Sequence, residues 1–290
     1  MAAIKIEQLS KTFRDKRFRK VHALQELSLE VSSGEVFGFL GPNGAGKSTT
    51  IKCLMGLIRP TSGRASISGV SVGSPKARLK VGYLPENPAF YDYLSANEYL
   101  AFTGRTYGMP RNVLSAEIER VLRQMEIWEA RNRPLRSYSK GMVQRLGLAQ
   151  TLLHDPDVFI LDEPMSGLDP LGRALVKNII QELKASGKTV FFSSHISSDV
   201  ETVCDRVGVI NKGVFQRVER VEDILAQGLK GYMVKTIDTS GCIVDEFVAV
   251  DGLETFFRSC QGAGKTITLI EPFRKHLEDF FLSIVQSEES

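Results

Sequence analysis

The sequence predicts an α/β fold with a mostly parallel sheet covered by helices, and two observations carry that prediction. Apolar segments with strand character alternate with helical segments along much of the chain, as in strand–helix–strand units. Several apolar runs are continuous, which is typical of strands buried on both faces. The 290 residues, 42% hydrophobic and 24% charged, suffice for one or two globular domains with a substantial core.

The predicted elements follow one another in a clear order. Alternation of apolar and polar residues predicts strands near residues 4–7 and within 22–31 and 64–72. Helical spacing then predicts helices at 97–107, 115–125 and about 140–154. Apolar runs at 158–161 and 189–192 predict two further strands that enclose a helix over 171–184.

A small α+β unit is expected after about residue 217, where the chemistry-bearing motifs stop. We expect a helix at 221–227, two strands within 231–250 separated by Thr239-Ser240-Gly241, a strand at 265–270 and a last helix. The apolar stripe of that helix is typical of core packing and consists of Leu277, Phe280, Phe281, Ile284 and Val285. Residues 262–266 resemble a phosphate loop but have Ser259 where its first glycine belongs, so a hairpin turn is expected there.

Charge and cysteine content exclude some classes of protein. A formal net charge of +3 is too small to argue for nucleic acid or lipid as a partner. The basic run 14–20 is typical of a solvated hairpin tip, with contact to lipid headgroups as the alternative. Four scattered cysteines fit free thiols in a reducing cytosol. With no signal pattern and no apolar stretch long enough to span a bilayer, any membrane role is expected to come through a partner.

Residues 41–48 read Gly-Pro-Asn-Gly-Ala-Gly-Lys-Ser, a complete phosphate-binding loop. Its glycines let backbone N–H groups surround a polyphosphate, Lys47 supplies a positive charge to the outer phosphates, and the Ser48 hydroxyl is suited to ligate Mg²⁺. The run 35–40 predicts a buried strand that leads into the loop. Residues 48–58 predict a helix that presents its positive end to the phosphates.

Polar residues follow the two apolar strands predicted further along the chain. Asp162 ends the strand at 158–161 and is suited to hold Mg²⁺ through its water shell, while Glu163 is suited to deprotonate an attacking water. His195 ends the strand at 189–192 and could hydrogen-bond a terminal phosphate or that water. Ser139 opens a helix, either as a simple N-cap or as part of an anion site. Spacing alone does not choose between these two roles.

Together these residues resemble the ATP-binding subunit of an ABC transporter over about residues 1–217. The phosphate loop matches from Gly41 to Thr49, and the signature motif matches as Tyr138-Ser139-Lys140-Gly141-Met142. Asp162-Glu163-Pro164, the loop 166–169 and the switch histidine His195 complete the set. The resemblance implies a phosphate-loop NTPase sheet core, an antiparallel β subdomain and a helical subdomain at about 88–155, with 218–290 as a small accessory domain.

The resemblance also implies a head-to-tail homodimer closed over two ATP molecules with Mg²⁺. Phe13 falls where the family stacks an aromatic ring on adenine, with strand core as its alternative role and Phe18 as an alternative residue. Each nucleotide would contact the phosphate loop of one subunit and Ser139 with Gly141 of the other. The nucleotide-contacting residues implied are Phe13, Gly41, Pro42, Asn43, Gly44, Ala45, Gly46, Lys47, Ser48, Thr49, Ser139, Gly141 and Asp169.

Three positions depart from the family pattern. Glu86 stands where the family has a coupling-loop glutamine; a carboxylate still ligates Mg²⁺, but its charge disfavours closeness to the terminal phosphate. Lys140 replaces a signature glycine, and Met142 replaces the signature glutamine. This combination resembles the subfamily that serves ABC-2-type permeases, which are mostly exporters, and 276–282 resembles a C-terminal extension common there.

The expected function is an ATPase motor subunit on the cytoplasmic face of the membrane, driving export through a separate membrane permease. Catalysis would use Glu163, His195 and Lys47, with Mg²⁺ held by Ser48, Asp162 and Glu86. Membrane contact is expected only through the permease, and no nucleic-acid partner is expected. Two alternatives are a soluble ABC-type ATPase acting on ribosomes or nucleic acid, and a nucleotide-gated module without turnover. An intact Glu163 argues against the second.

Overall fold

The computed structural model describes residues 2–227, 229–238, 241–274 and 277–286, which form two compact units, Met1–Val218 and Glu219–Ser290. In the described part of the first unit, ten strands form one sheet in the order β5-β4-β1-β2-β10-β9-β3-β8-β7-β6. The strands are β1 (Ala2–Arg14), β2 (Lys20–Ser32), β3 (Val36–Leu40), β4 (Ser62–Ile67), β5 (Val70–Ser71), β6 (Val81–Leu84), β7 (Val158–Leu161), β8 (Thr189–Ser194), β9 (Arg206–Asn211) and β10 (Val214–Arg220).

Seven α-helices accompany this sheet in the described residues. They are α1 (Lys47–Leu54), α2 (Pro75–Arg78), α3 (Ala96–Thr106), α4 (Arg111–Gln124), α5 (Lys140–Leu152), α6 (Pro170–Ala185) and α7 (Ser197–Val203). Short 3₁₀ turns at Trp128–Ala130 and Leu135–Ser137 connect α4 to α5.

Half of the sheet is parallel and buried on both faces. β9, β3, β8, β7 and β6 pair in parallel, and every residue of β3, β7 and β8 is buried. Phe37 of β3 lies opposite Phe191 of β8 in register, with their rings stacked at a centroid distance of 5.7 Å. The predicted α/β fold, with continuous apolar strands at its centre, is therefore confirmed.

Four of the other strands, β1, β2, β4 and β5, form an antiparallel part of the sheet, and β10 pairs with β2 in parallel. β1 pairs with β2 and with β4, and β4 pairs with β5. The connection between β1 and β2 is a tight turn over residues 15–19, closed by the Asp15 N–H donating to the Arg19 carbonyl at 2.9 Å. The basic run thus lies in a hairpin turn, as the sequence predicts.

Two predicted helix boundaries need correction. The helix after the phosphate loop ends at Leu54 rather than 58, because Gly56 turns left-handed at φ 64° and ends the helix. The helix expected at 115–125 begins four residues earlier, at Arg111. Pro110 precedes it in extended geometry with no capping side chain, so no polar cap residue marked this start. By contrast, α3 begins with a capping box formed by Ser95 and Glu98.

The second unit has a three-stranded antiparallel sheet in the order β12-β11-β13. Its described elements are α8 (Val221–Gln227), β11 (Leu229–Ile237), β12 (Ile243–Ala249), a 3₁₀ turn (Val250–Gly252), α9 (Leu253–Gly262), β13 (Thr266–Arg274) and α10 (Leu277–Gln286). The predicted loop residues Thr239 and Ser240 lie outside the described residues.

The prediction of a hairpin turn at 262–266 is wrong, because a helix rather than a strand precedes these residues. α9 runs through Gly262, and a turn at 263–264 leads into β13. A phosphate loop requires a strand before the glycines and a helix after them, which is the reverse of this order. The order of helix and strand, together with Ser259 in place of the first glycine, therefore excludes a second phosphate loop at these residues.

We expect Phe191→Ala to lower the free energy of unfolding by about 3–5 kcal/mol, because it removes a fully buried ring that contacts Phe37 and Phe39. Phe191→Leu keeps most of the volume and should cost clearly less. Urea unfolding of the three proteins measures both losses. Equal stability of Phe191→Ala and the parent would contradict a rigid core at this point of the sheet.

Candidate nucleotide site

The predicted chemical groups meet at the carboxyl edge of three adjacent parallel strands. The phosphate loop follows β3, Asp162 and Glu163 follow β7, and His195 follows β8. Ligands of open α/β sheets bind at this edge, outside the carboxyl ends of the strands. Strand pairing thus brings together groups that are more than 150 residues apart in sequence, between Gly41 and His195.

The glycines of the loop are required by its backbone path. Gly46 has a φ of 112°, and a β-carbon there would lie 2.7 Å from the Ala23 carbonyl oxygen. A β-carbon on Gly41 would lie 2.4 Å from the carbonyl oxygen of Ile210. Helix α1 begins directly after Gly46 without a side-chain cap. Its first amide groups and positive helix end therefore suit an anion.

Lys47 is buried within the curve of the loop. Its Nζ donates to the Gly41 carbonyl at 2.6 Å and to the Pro42 carbonyl at 3.3 Å, and lies 3.3 Å from Glu163 Oε1. A buried ammonium group is tolerated only where oxygen atoms surround it. The loop thus fixes one positive charge beside a carboxylate.

Asp162 accepts two hydroxyl hydrogen bonds on one oxygen. Ser193 Oγ donates to Asp162 Oδ1 at 2.7 Å, and Ser48 Oγ donates to the same atom at 3.3 Å. The carboxyl group is almost wholly buried, and this desolvation raises its pKa above the usual value. A cation placed there would favour the ionised form.

The donor set fits Mg²⁺. Ser48 and Asp162 present oxygen ligands, which Mg²⁺ prefers, and they lie within hydrogen-bond distance of each other. Among the described residues, no group of three or more His, Cys, Asp and Glu side chains could hold a metal alone. Mg²⁺ typically takes one or two protein ligands together with phosphate oxygens and water, and this arrangement matches that pattern.

Glu163 is held in a strained position by three neighbours. Its φ is 50°, in the left-handed region that non-glycine residues rarely occupy. Its N–H donates to Ser193 Oγ at 3.0 Å, and its Oε2 lies 2.9 Å from His195 Nδ1. Lys47 binds the other carboxylate oxygen. These contacts aim the carboxylate across the edge of the sheet between the lysine and the histidine.

The signature residues form a second cluster, centred on α5 and the loop 164–169. Ser139 Oγ caps α5 by accepting from the Met142 N–H at 3.3 Å, and Asp169 Oδ1 caps α6 by accepting from the Gly172 N–H at 2.9 Å. A β-carbon on Gly141 would touch Leu168 at 3.7 Å. The cap role weighed for Ser139 is therefore present in the structure.

Three predicted residues lie outside both clusters. Phe13 is on β1 opposite Val21 and is 40% exposed, with its ring centroid 4.9 Å from Lys11 Nζ, so it is not a residue of the strand core. Phe18 lies in the β1–β2 turn and is 81% exposed. Glu86 is exposed two residues beyond β6.

Two residues that join these clusters escaped the sequence analysis. Ser193 is fully buried and bridges Asp162 and the Glu163 backbone. Its only signal in the sequence was a polar residue at the end of an apolar run, two positions before His195. Gln144 is buried and donates from Nε2 to the Pro164 carbonyl at 3.0 Å. It lies five residues after Ser139, and nothing in its sequence context distinguishes it from other polar residues of a helix.

Comparison with known proteins shows the family. The ABC transporter family model matches residues 24–166. The chain is 38% identical to an uncharacterized ABC transporter ATP-binding protein of Nostoc, over 94% of this chain and 86% of that protein. It is 35% identical to the uncharacterized ABC transporter ATP-binding protein YxlF of Bacillus subtilis, over 98% of this chain and all of that one. The linearmycin resistance ATP-binding protein LnrL of the same species is 33% identical, over 82% of this chain and 77% of that protein.

Solved structures agree. An ATP-binding subunit of an ABC transporter superimposes with a TM-score of 0.70 at 30% identity, over 78% of this chain and 92% of that one. CbiO1 of Clostridium perfringens, part of the ABC transporter complex cbiONQ, superimposes with a TM-score of 0.65 at 27% identity, over 77% of this chain and 90% of that one. A dimeric ATP-binding cassette with bound ADP and Pi superimposes with a TM-score of 0.70 at 23% identity, over 75% of this chain and 98% of that one. This last similarity is one of fold.

The chain belongs to the ATP-binding proteins of ABC transporters, and its activity is that of an ATPase. No helix among the described residues has the length and apolar character needed to cross a membrane.

Ser193→Ala should reduce ATP hydrolysis by about ten- to a hundredfold, because it removes the shorter of the two hydroxyl hydrogen bonds to the buried Asp162 and takes away the acceptor of the Glu163 N–H. The free energy of unfolding should fall by about 1–3 kcal/mol. Ser186→Ala is the matched control, since that hydroxyl donates to the Glu182 carbonyl on an exposed helix end, away from the site. Steady-state ATPase assays with saturating Mg²⁺ measure the effect. Equal activity of the two variants would contradict a role for Ser193 in holding the carboxylates.

Proposed function

We propose that this chain is the ATP-hydrolysing motor subunit of an ABC exporter and works through a separate membrane permease. The observation that carries the proposal is the cluster in which Lys47 and His195 each contact Glu163, beside the hydrogen-bonded pair Ser48 and Asp162. In this proposal, residues 1–217 are the ATP-binding domain, with a helical subdomain at about 88–155. Residues 218–290 are an accessory domain.

The phosphate loop is proposed to hold the triphosphate of ATP. Lys47 would neutralise the outer phosphates, while the loop amides and the start of α1 bind the inner ones. Ser48 and Asp162 would hold Mg²⁺, which lowers the charge of the phosphates, with Glu86 as a third candidate ligand. Phe13, which is 40% exposed, would stack on adenine. The proposed contact set is Phe13, Gly41, Pro42, Asn43, Gly44, Ala45, Gly46, Lys47, Ser48 and Thr49.

Hydrolysis is proposed to use Glu163 as the base. Its carboxylate accepts a proton from the attacking water as the water oxygen bonds to the terminal phosphorus and the bond to the leaving phosphate breaks. His195 at 2.9 Å from Glu163 Oε2 orients that carboxylate, with the Nδ1–H tautomer donating to it. Lys47 stabilises the negative charge on the transferring group.

The second cluster is proposed to act across a head-to-tail homodimer. Ser139 and Asp169 cap α5 and α6 through the N–H groups of Met142 and Gly172, and Gly141 lies one residue into α5. A second copy would present Ser139 and Gly141 to the nucleotide on the phosphate loop of the first. A solved cassette of the same fold is dimeric with bound ADP and Pi, which supports this arrangement.

A permease partner on the cytoplasmic face of the membrane is proposed from the family and from an exposed aromatic surface. Tyr91 and Tyr93 are 57% and 68% exposed, with ring centroids 5.9 Å apart, shortly after Glu86. CbiO1 is part of a transporter complex, and LnrL is a resistance protein. The likeness to LnrL and the Tyr-Ser-Lys-Gly-Met signature support export as the direction.

Glu163→Gln should slow ATP hydrolysis at least about a hundredfold while ATP still binds, because the amide keeps the shape but accepts no proton. The variant should accumulate as an ATP-bound dimer in size-exclusion chromatography with light scattering. Glu119→Gln, an exposed carboxylate on α4, is the control and should leave the rate unchanged. A Glu163→Gln protein that hydrolyses as fast as the parent would refute the assignment of the base.

Capture of the tagged Glu163→Gln protein with ATP and Mg²⁺ from detergent-solubilised native membranes tests the partner. We expect mass spectrometry to find a multi-spanning membrane protein at near-equal stoichiometry. The same capture with Lys47→Ala, which should not hold nucleotide, is the control for ATP-dependent assembly. Recovery of ribosomal or nucleic-acid-binding proteins with no membrane protein would overturn the transport assignment but not the ATPase chemistry.

A further inference from the structure

The β1–β2 hairpin carries a concentrated positive charge that the nucleotide site does not use. Five exposed cations occupy residues 14–20: Arg14, Lys16, Arg17, Arg19 and Lys20. In the described part of the chain, none of them forms an ion pair with a carboxylate. Unpaired cations on a narrow projection create a local positive potential far stronger than the formal net charge of +3 suggests.

Asp15, the one carboxylate within residues 14–20, is bonded to backbone N–H groups. Asp15 Oδ1 accepts from the N–H groups of Arg17 and Arg19, both at 2.8 Å. The turn is closed further by the Phe18 N–H donating to the Asp15 carbonyl at 3.0 Å. Asp15 therefore shapes the turn, and the arginine and lysine heads are left to project outward.

An apolar group stands at the tip of this basic hairpin. Phe18 has a φ of 59° and is 81% exposed, and Val21, one residue into β2, is 48% exposed. A solvated turn gains nothing from an exposed phenylalanine in a strained backbone conformation. An aromatic ring flanked by cations is the combination that favours a lipid–water interface, where the ring enters the headgroup layer and the cations meet lipid phosphates.

We propose that the β1–β2 hairpin docks directly on an anionic phospholipid surface, with Phe18 inserted between headgroups. This contact goes beyond the proposed function and adds a second attachment to the one expected through the permease. The short length of the basic stretch and the aromatic tip favour a lipid surface over nucleic acid, whose binding needs a longer basic track and stacking platforms.

Flotation with purified protein and vesicles tests the proposal without any permease. The parent should bind vesicles of phosphatidylcholine mixed with phosphatidylglycerol and should bind phosphatidylcholine alone far more weakly. Each cation near an anionic surface strengthens adsorption about fivefold. Lys16→Gln/Arg17→Gln/Arg19→Gln should therefore weaken binding about a hundredfold at low salt. Binding of the parent should also fall as salt shortens the Debye length from about 30 Å at 0.01 M to about 8 Å at 0.15 M.

Lys80→Gln/Lys212→Gln/Lys230→Gln is the matched control, since it removes the same charge from exposed positions elsewhere. It should bind as the parent does, and both triple variants should keep the parental ATPase rate. Equal losses in the two triple variants, or equal binding of the parent to both vesicle types, would overturn the proposal. Tighter binding to polyuridine RNA than to vesicles, lost in the hairpin variant, would do so as well.

Phe18→Trp gives an independent optical readout of insertion. The parent contains one tryptophan, Trp128, so the difference in emission between variant and parent reports on position 18. We expect a blue shift of this emission when anionic vesicles are added. Its absence would refute insertion. Because the vesicles hold no permease, a negative result leaves the ATPase assignment intact.

Discussion

The burial of one positive and two negative charges at the edge of a parallel sheet is the constraint on which the rest of the site depends. Lys47, Asp162 and Glu163 are all less than a tenth exposed. Charges at such depth are stable only when each finds close partners. The phosphate-loop carbonyls, Ser48, Ser193 and His195 supply these partners, so each accounts for part of the local conformation, including the left-handed backbone of Glu163.

The rigidity of the central strands makes this arrangement possible. The rings of Phe37 and Phe39 on β3 and of Phe191 on β8 pack together on one face of the sheet with no exposed surface. Aromatic rings at this density leave little room for the strands to slide. The strand ends that carry the loop, the carboxylates and the histidine are thereby fixed relative to one another.

The sequence predicts the central sheet and the residues at its edge well, because contiguous motifs and apolar runs are local signals. The start of α4 was not predicted, because Pro110 precedes that helix and provides no polar cap. Helix α9 was not predicted either. A glycine-rich stretch marks its end, and glycine is equally common in turns between strands, so a hairpin turn was predicted there. Ser193 and Gln144 were missed for a different reason. Their importance comes from partners 31 and 20 residues away, and such contacts have no periodic signature.

In the proposed head-to-tail dimer, the hydrogen bond from Gln144 to the Pro164 carbonyl would have a consequence for cooperativity. It joins the helix that starts at Ser139 to the residue directly after Glu163. In a head-to-tail dimer these two ends of one subunit would serve different nucleotides. A displacement at one would then change the affinity at the other, and thermodynamic reciprocity requires the reverse effect to be equal. In the proposed dimer the two ATP molecules would act as mutual effectors, with this hydrogen bond as one of the contacts that link them.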